Sequence, residues 1–388
     1  MSYDFIIVGA GIGGITIAEQ LANILNKKVL IIEKRNHIGG NCYDYYNEDG
    51  ILVHKYGPHI FHTNNRRVYN YLSLYTSWII YNHKVLGKIE NTLAPIPFNL
   101  ISIDKCMPQD ADKIKKALLE EYTVNDSIKI LDMKKSSRRE IKQLADYVYE
   151  NVFLHYTEKF WNLKPEELDP SVTGRVPVNI SYDCRYFQDM YQGIPSEGYT
   201  VMFNNMLSNH NINILLEKDY KDVLTVDYEN KRVLFYDEEF DGEIIFTGMI
   251  DEFFDYKYGH LPYRSLIFVD ETIDEAKFQE NSTINYPNDY HFTRITEYKY
   301  LTRQVHDKTT IQFEYPIKYD PDANEGNIPY YPIPQAKNEE LYEKYKAYSE
   351  EFENITFLGR LAEYKYMNMD KVVEKALNLV DKFLDKNG

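Results

Sequence analysis

The stretch HKYGPHIFHT, residues 54 to 63, sets three imidazoles (His54, His59 and His62) within ten positions. Histidines this close serve as metal ligands, as acid–base groups or as scaffold. A histidine-built zinc site draws its other ligands from Cys or carboxylates at tight spacing, or from an HExxH helix. No Cys lies within ten residues of this stretch and no such helix follows it. No metal is therefore expected. A second group of residues carries clearer chemistry: Gly9, Gly11 and Gly14 fit GxGxxG, and Glu33 follows one helix and one strand later. In that pattern the glycines make a tight turn, let backbone approach a pyrophosphate, and pack helix on strand, while the acid accepts hydrogen bonds from ribose hydroxyls. The helix N-terminus adds N–H groups and partial positive charge for the phosphates.

The elements that must position these residues are readable around them. Phe5-Ile6-Ile7-Val8 is an all-apolar run that predicts a buried parallel strand, followed by a helix to about Asn26 and a second strand at Val29–Ile32. Glu48-Asp49-Gly50 predicts a hairpin. Residues 107 to 161 have helical periodicity and few Gly or Pro, residues 165 to 200 predict loop plus strands, and residues 210 to 315 carry short β-like runs. Residues 338 to 350 and 369 to 385 are helical again, and neither internal repeats nor low-complexity segments are seen. The chain has 388 residues, 44% of them hydrophobic, which allows two or three domains. A net charge of −16 argues against a nucleic-acid binder. Three separated cysteines suggest no disulfide framework, the start MSYD lacks a signal peptide's basic region, and the uncharged run Phe5–Ala18 is too short to cross a bilayer. The expectation is a cytoplasmic protein that does not enter the membrane.

The stretch EKRNHIGGN places a second glycine pair shortly after Glu33, and FLGR at 357 to 360 precedes a helix from about Asn368. Both features resemble flavoproteins of the glutathione-reductase and amine-oxidase type, in which the late helix aims its positive end at the flavin. The resemblance then narrows. EKRNHIGGN, HKYGPHIFHTN, PIPFN, YTEKFW, YFQDMYQGIP, GYT at 198 to 200, PYRSL, EYP and GRLAEYKYMNMD run in order across nearly the whole chain. Together they are similar to the UDP-galactopyranose mutase family.

That resemblance implies an α/β protein: a Rossmann-like FAD-binding domain with a helical insertion domain and an antiparallel β-sheet domain. The FAD-binding domain is expected to be discontinuous (1–85, 200–250 and 335–388), the helical domain to cover 100–165 with a mobile loop following, and the sheet domain 86–99, 166–199 and 251–334. It implies an isomerase that interconverts UDP-galactopyranose and UDP-galactofuranose through a covalent adduct of reduced FAD N5 with the anomeric carbon, without net redox change. By match to the family's motifs, Arg175 and Arg294 take the diphosphate, Tyr315 and Tyr366 stand beside diphosphate and sugar, and His62 tunes the flavin or relays protons. Tyr156 and Trp161 match residues near uracil and on a mobile loop, Tyr186 and Asn285 match other nucleotide contacts, and Asn368 stands where Asp is common. The implied cofactor contacts are Gly9, Gly11, Gly14, Glu33, Lys34, Gly40, Asn41, His59, Ile60, Arg360 and Met369. Implied partners are the UDP-sugar, NAD(P)H or another reductant, and a second copy in a homodimer; the product would feed cell-surface polysaccharide.

The chain also departs from the family pattern. Cys42 follows GGN, His155 replaces the usual Gly before Tyr156, Val152 stands where an aromatic often faces uracil, and TGMID replaces TGPID. These departures leave dTDP-fucose or UDP-N-acetylgalactosamine open as the substrate. A flavin amine oxidase and a non-catalytic binding protein on the same scaffold are the other readings. The arginines within mutase motifs argue against the first, and the intact glycines, Glu33 and Arg360 against the second.

Overall fold

A computed structural model of the chain describes residues 2–168, 177–323 and 327–387. Five parallel strands form the first sheet, in the order Ile212–Leu215, Val29–Ile32, Phe5–Val8, Glu243–Phe246 and Ile355–Phe357. Phe5 pairs with Val29 on one side and with Glu243 on the other, so the three central strands run in register. Their side chains alternate between two cores. Ile7, Ile31 and Ile245 face helices Ile12–Ile24 and Met369–Asn387, whereas Ile6, Leu30, Ile32 and Phe246 face Phe253, Phe254 and Tyr345. Apolar side chains on both faces are what a parallel sheet covered on both sides requires. Both ends of the chain thus build one layer: the first strand lies inside the sheet and the last helix packs on the first.

A second sheet has seven strands, in the order Tyr331–Pro332, Tyr263–Ile273, Thr309–Lys318, Arg294–Glu297, Thr283–Asn285, Val85–Ile89 and Thr92–Ile96. This is the expected antiparallel sheet with one parallel pair, between Thr283–Asn285 and Val85–Ile89. The described part of segment 166–199 does not join it. Val178–Asn179 pairs with Ser127–Ile128 beside the helices, and Tyr191–Pro195 lies between Phe61–Thr63 and Trp78–Ile80 in a three-stranded sheet. Apolar periodicity could not choose between these partners, since a short strand exposes the same pattern to any edge.

Against the second sheet pack helices Leu100–Cys106, Ala111–Glu121, Ile130–Met133, Arg139–Val148 and His155–Trp161 as one cluster. Asn99 and Ser102 form a capping box that starts the first of them. Ile141, Leu144, Ala145 and Val148 recur at helical spacing and are buried together against Ile114 and Leu118. The helix then widens into a π turn over Tyr149–Leu154 before His155–Trp161, a distortion common at functional sites. The hairpin Asp44–Tyr46 to Leu52–His54 turns through Gly50, and Asn47 Oδ1 accepts from the amides of Asp49 and Ile51. Among the described residues no helix is long and apolar enough to cross a membrane.

Candidate active site

The turn after the first strand forms a cradle at the start of helix Ile12–Ile24. Gly9 has φ +103°, and a Cβ there would lie 2.2 Å from Thr247 Oγ1; at Gly14 it would lie 2.1 Å from the carbonyl oxygen of Gly9. At Gly11, in contrast, the nearest atom is Gly40 Cα at 4.0 Å, so this glycine faces open space. Gly11 occupies the N-cap position and gives no side-chain cap, which leaves the first helical N–H groups turned toward the cavity. Glu33 braces this loop: its carboxylate accepts from the Ala10 amide at 2.8 Å and the Arg35 amide at 2.9 Å. Two oxygens with two lone pairs each retain acceptor capacity for ribose hydroxyls. Lys34, Gly40 and Asn41 line the same cavity, and Arg35, which sequence reasoning passed over, donates to Asn41 Oδ1 at 3.0 Å and stacks 4.5 Å from the Tyr56 ring centre.

The cavity continues to Gly359, Arg360 and Met369, where helix Met369–Asn387 begins. His59, Arg360 and Met369 line both this cavity and a neighbouring one, so the two adjoin there. Ile60, expected at the cofactor, lines the second cavity. A glycine cradle at a helix N-terminus, a ribose acid, and a second helix N-terminus at the far end fit a flavin dinucleotide.

The second cavity brings together residues from every layer. Arg294, Asn285 and Glu314 are cross-strand neighbours, since Arg294 pairs with Asn285 on one side and with Glu314 on the other. Arg294 Nε lies 3.1 Å from Glu314 Oε1, and Nη2 donates to the Tyr156 hydroxyl at 2.9 Å. Glu314 also accepts from Thr293 Oγ1 at 2.7 Å. Tyr186, whose amide donates to the carbonyl of His83 at 2.7 Å, lines the wall beside Val152 and Phe153 of the π turn. Tyr366 stacks on Tyr331 at 5.6 Å and 13°, with the Arg360 guanidinium about equally far from both rings, at 5.1 and 5.2 Å. Asn368 sits just before the C-terminal helix, on the cavity wall.

Two expected residues stand elsewhere than foreseen. Tyr315 does not reach this cavity. It follows Glu314 on one strand, so its side chain leaves the opposite face of the sheet, where it is opposite the exposed Ile267. Tyr331, from PYYPIP, takes the place beside Tyr366 instead. Trp161 is not in a loop: it ends helix His155–Trp161, buried against Tyr331, and Arg264 ties that turn to the sheet by donating to the Phe160 carbonyl at 2.7 Å. Arg175 lies outside the described residues.

The histidines divide by role. His54 is fully buried; its Nδ1 accepts from the His59 amide at 3.0 Å, and its carbonyl accepts from Tyr298 and Gln312, so it is scaffold. His59 and His62 line the second cavity together with His83, which sequence reasoning missed for want of a motif around it. Burial pushes the imidazoles of His54, His59 and His83 down to about 3 and holds them neutral. Burial likewise raises the Tyr156 phenol to about 12, against the pull of Arg294. Among the described residues, Arg294 and Arg360 are the Lys or Arg side chains in this wall and Glu314 is its acid. The site therefore offers fixed positive charge, neutral hydroxyl donors and aromatic faces, a set suited to a diphosphate carrying ring systems. Among the described residues no three His, Cys, Asp or Glu side chains are grouped to hold a metal ion.

A sequence profile described as UDP-galactopyranose mutase matches residues 151–366, the part that carries most of this second cavity. The chain belongs to the UDP-galactopyranose mutase family. A second profile, an NAD(P)-binding Rossmann-like domain, matches residues 7–73 around the glycine cradle. The chain is 38% identical to a UDP-galactopyranose mutase of Mycoplasma genitalium, over 96% of this chain and 92% of that one. It is 34% identical to a dTDP-fucopyranose mutase of Escherichia coli, over 98% of each. A crystal structure of reduced UDP-galactopyranose mutase superposes with a TM-score of 0.74 at 15% identity, covering 99% of this chain and 94% of that one. A putrescine oxidase structure superposes at 0.58 with 12% identity, over 99% of each, and shares the fold alone. As in the mutase family, the cofactor of this chain is FAD, and the cradle, Glu33 and the Met369 helix end are the residues that would hold it.

Proposed function

We propose that this mutase-family chain interconverts UDP-galactopyranose and UDP-galactofuranose, with FAD in its reduced form. One observation carries the reading: Arg294, locked between Glu314 and Tyr156, faces a cavity that adjoins the dinucleotide cavity at His59, Arg360 and Met369. A diphosphate bound at Arg294 puts its sugar toward that junction. Reduced flavin, when bound, supplies the nucleophile for the anomeric carbon and recovers its electrons at the end. The protein does the rest. Arg294, joined by Arg175, stabilises charge on the departing UDP. Tyr156, Tyr186 and Asn285 orient the nucleotide. Tyr331 and Tyr366 wall the diphosphate and sugar, and Phe160 with Trp161 keeps water out. In this reading the chain works in the cytoplasm as a homodimer, takes electrons from NAD(P)H or another donor, and feeds cell-surface polysaccharide.

The test is a chromatographic assay of dithionite-reduced protein with UDP-galactofuranose, beside an oxidised control. Pyranose formed only by reduced protein supports the reading. The 34% identity to a dTDP-fucopyranose mutase and the small Val152 in the cavity wall favour one second reading, a thymine nucleotide. Conversion of dTDP-fucofuranose in preference to the uridine sugar would replace the first.

A further inference from the structure

The strand Phe61–Thr63 carries His62, and its partner strand Tyr191–Pro195 sets Gln192 opposite that histidine. Asp189 lies just before the partner strand. Three hydrogen bonds connect these elements in a line. The backbone N–H of Met190 donates to Asn64 Oδ1 at 2.9 Å, Asn64 Nδ2 donates to Asp189 Oδ1 at 2.8 Å, and Asp189 Oδ2 lies 2.8 Å from His62 Nδ1. The direction of each bond is forced. A backbone amide only donates, so it meets the oxygen of Asn64 and turns the NH2 group of Asn64 toward Asp189. A carboxylate only accepts, so the proton between Asp189 and His62 sits on Nδ1. In the neutral ring Nε2 then carries a lone pair. Phe187 stacks on the imidazole at 3.6 Å and 11°, which fixes the ring plane, and both rings line the second cavity.

We propose that Asn64 and Asp189 are positioning residues that hold His62 as the Nδ1–H tautomer, so that Nε2 stands in the substrate cavity as an acceptor for a sugar hydroxyl. The part about the sugar rests on the mutase reading above. Arg294, Arg360 and the tyrosine hydroxyls supply donors suited to phosphate, and Glu314 is committed to Arg294 and Thr293. A sugar also brings hydroxyl protons, and an imidazole of fixed tautomer meets one of them. The carboxylate has no proton to give, so the ring cannot take the other tautomer without losing its bond to Asp189.

The test uses FAD-loaded protein labelled with nitrogen-15 histidine, at about pH 8, above the ordinary imidazole range. His62 is assigned by its loss in His62→Gln. The expected wild-type spectrum shows the proton on Nδ1. In Asp189→Asn, Asn64 still donates, so the new amide turns its oxygen to Asn64 and its NH2 to the ring; the tautomer switches to Nε2–H. An acid-to-amide change that leaves geometry intact but inverts a tautomer can be severe for catalysis, and kcat/KM is expected to fall roughly tenfold or more. The double variant Asn64→Asp with Asp189→Asn exchanges the acid and the amide. The new carboxylate at position 64 accepts from the Met190 amide and from the NH2 of the new amide at position 189. The oxygen of that amide then faces the ring and again accepts Nδ1–H, and kcat/KM recovers to within roughly threefold. An unchanged tautomer in Asp189→Asn overturns the proposal, as does a double variant that stays Nε2–H or stays slow. The spectrum is read without turnover. A tautomer switch in a protein with no mutase activity would sink the functional reading and the sugar contact, and leave the relay standing.

Discussion

Replacing Arg294 by Ala should damage the protein in two separable ways. The Glu314 side chain it pairs with is only 6% exposed, whereas Arg294 itself is 28% exposed. Removing one member of a fully buried pair costs about 3–5 kcal/mol. Partial exposure of the arginine lets water compensate, so about 2–3 kcal/mol of stability is expected to be lost. With about 2.1 cal/mol/K of unfolding entropy per residue, a chain of 388 residues drops about 1.2 °C in Tm per kcal/mol, so the shift should be about 2.5–3.5 °C. Catalysis should fall independently. A charge-assisted contact to the leaving diphosphate contributes about 1.5–3 kcal/mol, or roughly 10–150-fold in kcat/KM. Adding Glu314→Gln removes the stranded charge and should restore most of the Tm but none of the turnover. The measurements are thermal melting followed by flavin fluorescence and the chromatographic assay, with flavin absorbance unchanged in both variants. Wild-type turnover by Arg294→Ala would remove this residue from the site. A Tm that the second substitution leaves low would show that Glu314 is not where the stability is lost.

Arg175→Ala should lower turnover by a comparable factor of roughly 10–150 with FAD still bound; full activity would take that residue out of the diphosphate site. Gly14→Ala puts a Cβ 2.1 Å from the Gly9 carbonyl oxygen, so purified protein should carry less flavin per chain, and a normal flavin-to-protein absorbance ratio would refute the cradle. Tyr331→Phe should reduce kcat/KM several-fold, about what one lost hydrogen bond costs, while Tyr315→Phe should leave it unchanged; the reverse order would restore the sequence assignment. Acid should destabilise the fold early: His54 and His83 stay neutral in the folded chain down to about 3 but take up protons near their usual value of 6.5 once unfolded. Stability is then fullest above pH 6.5 and falls by about 1.4 kcal/mol per pH unit for each ring as pH drops below it, and a Tm that is flat between about pH 5 and 7 would refute the burial of both.

Local motifs were the legible part of this site. The GxGxxG turn, Glu33 and the Met369 helix end depend on backbone geometry close in sequence, and that geometry needs particular residue types at particular spacings. Arg294, Tyr156 and Asn285 were reached through the family resemblance, and the cavity does gather them. Sheet register was not legible. Whether Tyr315 or Tyr331 faces the cavity depends on which face of a strand is covered, and neighbouring positions in EYP read alike until the partner strand is known. His83 and Asp189 were invisible for a related reason: each takes its place beside residues distant in the chain, His83 on the cavity wall against Tyr186 and Phe187, Asp189 on His62. The destination of Tyr191–Pro195 was missed because five residues fit more than one sheet edge.

The first strand lies between Val29–Ile32 and Glu243–Phe246, a strand made far later, and the cofactor cavity is closed by Gly359 and Met369. During synthesis the glycine cradle leaves the ribosome long before its far wall exists. At about 5–20 residues per second, the wait between Gly14 and Gly359 is roughly 17–70 s. Until Glu243–Phe246 is made, the apolar strand Phe5–Val8 lacks a neighbour on one side, so nascent chains should depend on chaperones and should gain flavin only after release. A stop codon anywhere before the last helix would yield a polypeptide unable to retain its cofactor, however complete its nucleotide-binding motif.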